Sequence, residues 1–389
     1  MFFLLASIVK IVVVFTVLMV SVAMLTLAER RICAFMQDRL GPNRVGPFGL
    51  LQPAADGLKN IFKEETYPAQ ADFWLFVLAP AVSFIPALLT FAVIPFASPL
   101  PTPWGQVPMV VADLPIGFLY ILAIGSLGVY GIVLAGWSSN NKYALLGGLR
   151  ASAQMISYEI AMGMSAVAVL LLAGNVTLSD VIARQSTSLA TWNVFPLFLA
   201  FFVFLVAAFA ETNRLPFDLP EAEGELIAGY HTEYSSMKFS MFYIAEYSNM
   251  VTASALMVTL FFGGWDIPFT SWDNVGPFTI WKTLATLAAF AVKTGFFLFF
   301  FIWVRWTLPR FRYDQLMALG WKVMLPTAIL YVTLTATAVW LLHTVLGWPY
   351  GTNFALALTG LNVVLAGVLF WVLDDGRIIA GTGEPRRAA

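Results

Sequence analysis

Cysteine is all but absent from this sequence: Cys33 is the only one in 389 residues. That excludes a disulfide framework and leaves no CxxC pair for an iron–sulfur cluster or a zinc site. Histidine is nearly as scarce, and His231 and His343 stand far apart, so no metal site is expected. Charge is thin as well. Only 11% of residues are Asp, Glu, Lys or Arg, and the formal net charge is −1, which excludes a generally basic nucleic-acid binder. Nucleotide-binding glycine motifs, low-complexity tracts and convincing repeats are not evident. A flavin, an iron–sulfur cluster or a metal would therefore have to reside on another chain.

What the sequence has in abundance is apolar surface. Hydrophobic residues make up 60% of the chain and mean hydropathy is +0.81. No soluble domain of this length could hide so much, so the solvent for most of the chain is lipid. The first segment is apolar from Phe2 with its basic residues after the run, the reverse of a cleaved signal peptide, and reads as a retained helix.

Spanning a bilayer takes about 20 apolar residues. Nine runs approach or meet that length, at Phe3–Leu27, Phe73–Phe96, Asp113–Gly136, Ser157–Ala173, Val194–Ala210, Phe239–Gly263, Thr283–Val304, Val323–Leu346 and Phe354–Leu373. The expected fold is an all-α polytopic membrane protein of about nine transmembrane helices. With the N-terminus outside, seventeen of the twenty-one basic residues fall in cytoplasmic segments, which also puts the C-terminus in the cytoplasm. Within the first cytoplasmic segment, Leu51, Ala55, Leu58 and Phe62 recur at helical spacing. That pattern suits either a helix lying in the interface near residues 50–65 or an ordinary amphipathic connector.

The most informative stretch is acidic. Glu211, Asp218, Glu221, Glu223, Glu225, Glu233 and Glu246 fall within thirty-six residues, balanced only by Arg214 and Lys238. Pro216 and Pro220 deny the segment a continuous helix. Like-charged carboxylates one turn apart resist ionising together, so such a row can hold and pass protons near neutral pH. A solvated acidic loop would show the same composition. Charges inside the apolar runs weigh toward a path: Glu159, Glu246 and Lys293 each cost about 2.5–3.5 kcal/mol at mid-membrane unless paired or hydrated. Glu246 and Lys293, on consecutive spans, are a candidate intramembrane pair. Two arginine clusters, Arg30, Arg31, Arg39 and Arg44 and then Arg305, Arg310 and Arg312, fit topology and lipid headgroups, or equally a mouth for an amphiphile.

Five strings bring these residues together: LAERR, DRLGPNRVGPFGLLQPAADGLK, NKYALLGGLRASAQMISYE, FAETNRLPFDLPEAEGELIAGYHTEYS and RWTLPRFRYDQLMALGWK. In family order across residues 27–322, they resemble one family of membrane subunits of proton-translocating NADH:quinone oxidoreductase (respiratory complex I), the family that includes mitochondrial subunit 1. The resemblance implies a multi-pass subunit of the bacterial inner membrane at the junction of the hydrophilic and membrane arms. Its partners would be hydrophilic quinone-module subunits carrying the terminal iron–sulfur cluster, small membrane subunits and antiporter-like subunits. It implies a quinone tunnel at Glu29, Arg30, Asp56, Arg214 and Arg310, and an acidic chain at Glu159, Glu211, Asp218, Glu221, Glu223, Glu225, Glu233 and Glu246. On that reading, residues 1–346 form the family's membrane domain with the acidic loop 211–238. Residues 347–373 add a C-terminal helix, and 374–389 form a tail.

A membrane subunit of a related hydrogenase would share the fold, but the QPAADGLK and TNRLPFDLPEAE stretches favour the quinone enzyme. A stand-alone proton- or sodium-coupled transporter would call for inverted repeats and a broken midplane helix, which are not evident.

Overall fold

The computed structural model describes residues 2–103, 105–218 and 228–374. In chain order the elements are α1 (Phe2–Met36), α2 (Gln52–Phe62), α3 (Phe73–Leu89), β1 (Ala97–Thr102), β2 (Gly105–Met109), α4 (Gly117–Ser138), α5 (Lys142–Ala173), α6 (Leu178–Gln185) and α7 (Phe198–Glu211). There follow α8 (Ser236–Phe261), α9 (Ile280–Thr307), α10 (Tyr313–Ala318), α11 (Leu325–Trp340) and α12 (Thr352–Asp374). A wider π turn, Leu319–Met324, joins α10 to α11 without a break, and a second, Leu341–Val345, extends α11.

Each of the nine apolar runs falls on a helix. Among the described residues, seven helical segments are long and apolar enough to cross a membrane, which makes this a multi-pass membrane protein. α7 has only 14 residues. α8 has 26, and its polar residues Ser240, Ser248, Thr252, Ser254 and Thr259 are buried, turned inward away from lipid.

Two helices outrun their apolar cores. α1 continues past Leu27 to Met36, carrying Glu29, Arg30 and Arg31 on helical backbone. α5 starts fifteen residues before Ser157, because Lys142, Arg150 and Gln154 lower the hydropathy of its first half without breaking the helix. Asn141 caps that start by accepting from Tyr143 N at 2.9 Å, and Gly174 ends the helix at φ 69°. α5 packs against α4, α7 and α11 at the centre of the bundle. Its small residues permit close approach: a Cβ on Gly147 would lie 2.7 Å from Gly229 Cα, which fixes the segment entering α8 against α5.

The β1–β2 hairpin pairs Leu100 with Val107 and Thr102 with Gly105, in a stretch whose prolines gave no sign of strands. Ser98 N donates to Thr286 Oγ1 at 3.1 Å, docking the hairpin on α9. α2 occupies the expected interfacial stretch. Its Leu58, Ile61 and Phe62 stay exposed on this chain, while Ser236 Oγ donates to Asn60 O (2.8 Å) and Lys63 O (3.0 Å) and ties its end to α8.

Candidate functional site: a buried charge cluster and its cavity

The site is assembled by a turn that would not hold itself. After α7, the chain bends through Asn213 at φ 50° and leaves its carbonyls without helical partners. Gln154 of α5, fully buried, answers this with one side chain. Its Nε2 donates to Ala210 O at 2.8 Å, Phe217 O at 2.9 Å and Asn213 Oδ1 at 3.2 Å. The bend aims Arg214 into the bundle, where it is only 6% exposed.

Arg214 joins two carboxylates from distant parts of the chain. Its Nε lies 2.7 Å from Glu246 Oε1 on α8, and its Nη1 lies 3.3 Å from Glu29 Oε1 on α1. The guanidinium sits 4.2 Å from the Tyr247 ring centroid, and Tyr247 Oη donates to Glu29 Oε2 at 2.5 Å. Arg305 of α9 ion-pairs with Glu29 from the other side. Burial opposes the charge on Arg214, but Glu246, Tyr247 and Glu29 more than offset it and raise its pKa above the ordinary arginine value. Two carboxylates and two guanidiniums thus balance, with Glu29 and Arg214 buried, the Glu246 side chain 12% exposed and Arg305 half-buried at the edge. Breaking such a set by removing one member costs about 3–5 kcal/mol.

A cavity of about 30 Å³, room for about one water, adjoins the cluster. Glu246 and Glu211 both line it, with Thr212, Asn213, Asn249 and Ser83 among the remaining walls. Half-buried Glu159 of α5 lies within electrostatic reach of Glu211. Three of the expected acids, Glu246, Glu211 and Glu159, therefore form one connected group across α8, α7 and α5. Asp218 faces Arg310 at 3.3 Å, half-buried. Glu233 stands apart and accepts from Asn141 Nδ2 at 2.7 Å, beside the α5 cap. Glu221, Glu223 and Glu225 lie outside the described residues, as does the tail with Arg377, Arg386 and Arg387.

The expected tunnel residues divide. Glu29 and Arg214 belong to the buried cluster. Arg30 pairs with Asp56 of α2 at 2.6 Å, and Asp56 also accepts from Gln52 Nε2 at 3.0 Å, an exposed arrangement that fixes α2 beside α1. Arg310 is engaged with Asp218 at the outer edge.

One expectation is overturned. Glu246 and Lys293 do not pair, because α8 ends deep against α9 and Lys293 meets the carbonyls at and just past its C-terminus instead. Lys293 Nζ donates to Asp266 O at 2.6 Å, Phe262 O at 2.7 Å and Gly264 O at 3.1 Å, and lies 4.1 Å from the Trp192 ring centroid. Carbonyls at a helix end inside a membrane need a donor, and a cation suits the negative end of the dipole.

Sequence reasoning left Arg305, Tyr247 and Gln154 out of the site. Arg305 stood among edge arginines with nothing to single it out. Tyr247 follows Glu246 directly, but only the approach of α1 gives its hydroxyl a carboxylate partner. Gln154 could have been suspected as a neutral polar residue among small apolar neighbours on α5. Among the described residues, no three His, Cys, Asp or Glu side chains converge as a metal ion would require.

Residues 9–336 match the model of the NADH dehydrogenase family. The chain belongs to this family. The match ends within α11, so α12 lies beyond the matched residues. Among family members, the NADH-quinone oxidoreductase H subunit 1 of Cytophaga hutchinsonii is 49% identical over 337 residues, 87% of this chain and 97% of that protein. The NADH-quinone oxidoreductase H subunit of Leptospira biflexa serovar Patoc is 51% identical over 334 residues, 83% of this chain and 92% of that one. The corresponding H subunit 1 of Geobacter metallireducens is 52% identical over 326 residues, 84% and 94% of the respective chains.

Proposed function

We propose that this chain is the quinone-binding membrane subunit of an NADH:quinone oxidoreductase and couples quinone reduction to proton translocation. The observation that carries this reading is the position of Arg214. One guanidinium binds Glu29, beside the Arg30–Asp56 edge where an amphiphile would approach, and Glu246, which lines the cavity shared with Glu211.

The mechanism is electrostatic. Reducing a quinone consumes protons or leaves negative charge near Glu29 and Arg305. At about 4 Å and an effective dielectric of 20, one such charge is worth about 4 kcal/mol, or nearly three pKa units. Arg214 then changes its share between Glu29 and Glu246, and proton occupancy shifts through Glu246, Glu211 and Glu159. Asp218, Glu233 and the acids at 221, 223 and 225 extend the path on the loop side.

The electron-carrying groups belong to hydrophilic partner subunits, and the far end of the path faces small membrane and antiporter-like subunits. The membrane is the bacterial inner membrane, with the N-terminus outside and both arginine clusters toward the cytoplasm. As an isolated chain it would not oxidise NADH. The test is Glu159→Gln and Glu225→Gln in assembled complex. Both quinone reduction and proton translocation are expected to fall at least about tenfold, a loss of about 1.4 kcal/mol in barrier. Wild-type rates in both variants would refute the coupling path.

A further inference from the structure

At the end of α1 remote from Glu29, a cavity of about 640 Å³ opens between α1, α9 and the hairpin. It shares no residue with the charge cluster. Its walls are almost wholly apolar, with Val13 and Val17 of α1, Phe290 and Leu298 of α9 and Met109 of β2 among them. One charged group reaches it, Lys10, and no Asp or Glu lines it. Lys10 Nζ donates to Val110 O at 2.8 Å and more loosely to Pro108 O at 3.4 Å, which pins the ammonium to the hairpin at the rim. An ammonium has three donors, and two neutral carbonyls leave its charge uncompensated.

The dimensions identify an occupant. The groove follows α1 from Leu5 to Ser21, with eleven residue steps from Lys10 to Ser21, and it follows α9 for eleven steps from Leu287 to Leu298. At 1.5 Å per residue, the stretch from Lys10 to Ser21 and the α9 wall are each about 16 Å long. Half of a 30 Å hydrocarbon core, one leaflet, is about 15 Å. From Lys10 toward Ser21 the groove is one leaflet deep and apolar, and its single charge is a cation, which matches one acyl chain below an anionic headgroup. At Gly295, which lines the groove, a Cβ would meet nothing within 4 Å, so the space there is free.

We propose that this groove binds one phospholipid with an anionic headgroup, its phosphate at Lys10 and one acyl chain along α1 toward Ser21. The lipid fills the gap between α1 and α9 on the side away from the quinone reaction and props α1 in the tilt that delivers Glu29 to Arg214. The experiment uses assembled complex in phosphatidylcholine nanodiscs containing a minor share of phosphatidylglycerol, with retained lipid counted by native mass spectrometry. Wild type should retain one more phospholipid than Gly295→Phe, which fills the groove. Lys10→Gln should keep that lipid but lose about fivefold of its preference for phosphatidylglycerol over phosphatidylcholine, the discrimination one lysine provides at an anionic surface. Equal retention and equal preference in all three would overturn the proposal. A photo-crosslinking residue at Ala291 gives an independent reading should Gly295→Phe fail to assemble: capture of phosphatidylglycerol supports the site, and capture of a helix from a neighbouring chain overturns it.

Discussion

At one end of α8 and α9, Arg214 and Arg305 share the carboxylates of Glu29 and Glu246. Toward the other, Lys293 gives its donors to three main-chain carbonyls. Nearby carboxylates are just as settled. Asp266 accepts from Trp192 Nε1 at 3.0 Å and Asn274 Nδ2 at 2.6 Å, and Asp273 accepts from Ile267 N at 2.8 Å and Thr270 Oγ1 at 3.1 Å. Both regions hold charge within the helical bundle. In the second, every hydrogen-bond partner is a backbone group or a neutral side chain, and Lys293, Asp266 and Asp273 meet one another's charge only through space, so the arrangement works as a cap. In the first, charge answers charge across elements up to 276 residues apart, beside a cavity lined by two acids. A proton gained or lost there changes the balance of the whole set. The difference lies in the direct partners: carboxylate against guanidinium in the first region, neutral donors and acceptors in the second.

The sharpest way to break this comparison is Arg214→Met. It leaves Glu29 and Glu246 without the cation they share, at a cost of about 3–5 kcal/mol. Quinone reduction in assembled complex should fall below a tenth of wild type, and retention of near-normal rates would remove the cluster from the mechanism. Lys293→Met probes the opposite region. It orphans buried carbonyls at roughly 1–3 kcal/mol each, so the melting temperature should drop while the ratio of protons moved to quinone reduced stays the same. A changed ratio at normal stability would make the cap a second coupling site.

His231 carries the comparison into pH. Burial lowers its pKa from 6.5 to about 4, so the folded state favours the neutral ring. Its contribution to stability is complete above pH 6.5 and is lost as pH falls through about 4. Because the ring is only partly buried, the effect is on the order of 1–2 kcal/mol. His231→Gln should flatten that acid limb in thermal melts recorded from pH 7 to pH 4. The smallest effect belongs to the exposed Arg30–Asp56 pair, where Arg30→Gln should change stability by less than about 1 kcal/mol. If quinone affinity falls in that variant while melting is unchanged, the pair belongs to the mouth and is not a mere fastening of α2.

Much of this was legible in the sequence, for a physical reason. Apolar runs of bilayer length announce helices without any tertiary knowledge, and acids such as Glu159 and Glu246 stand out because lipid penalises them. Partners were harder to read. Glu29 meets Arg214, Arg305 and Tyr247 only because α1 crosses α8 and α9, and no local pattern encodes that crossing. Lys293 is anomalous within an apolar run, but its partners are carbonyls beyond α8, because adjacency in sequence says nothing about the depth at which α8 ends. The first half of α5 gives no long apolar run, because Lys142, Arg150 and Gln154 lower its hydropathy and most of its other buried residues are Gly, Ala and Ser. The hairpin escaped because its prolines argue against strands, although a two-stranded ribbon has only edges and tolerates them.

The most direct test of the coupling account is Glu246→Gln, with quinone reduction and proton uptake measured together in proteoliposomes containing assembled complex. The substitution keeps shape and one acceptor while removing the charge held by Arg214 and the ionisable group that shares a cavity with Glu211. The account predicts that both rates fall together by at least about tenfold, the equivalent of about 1.4 kcal/mol. Full proton uptake at a wild-type rate of quinone reduction would contradict it.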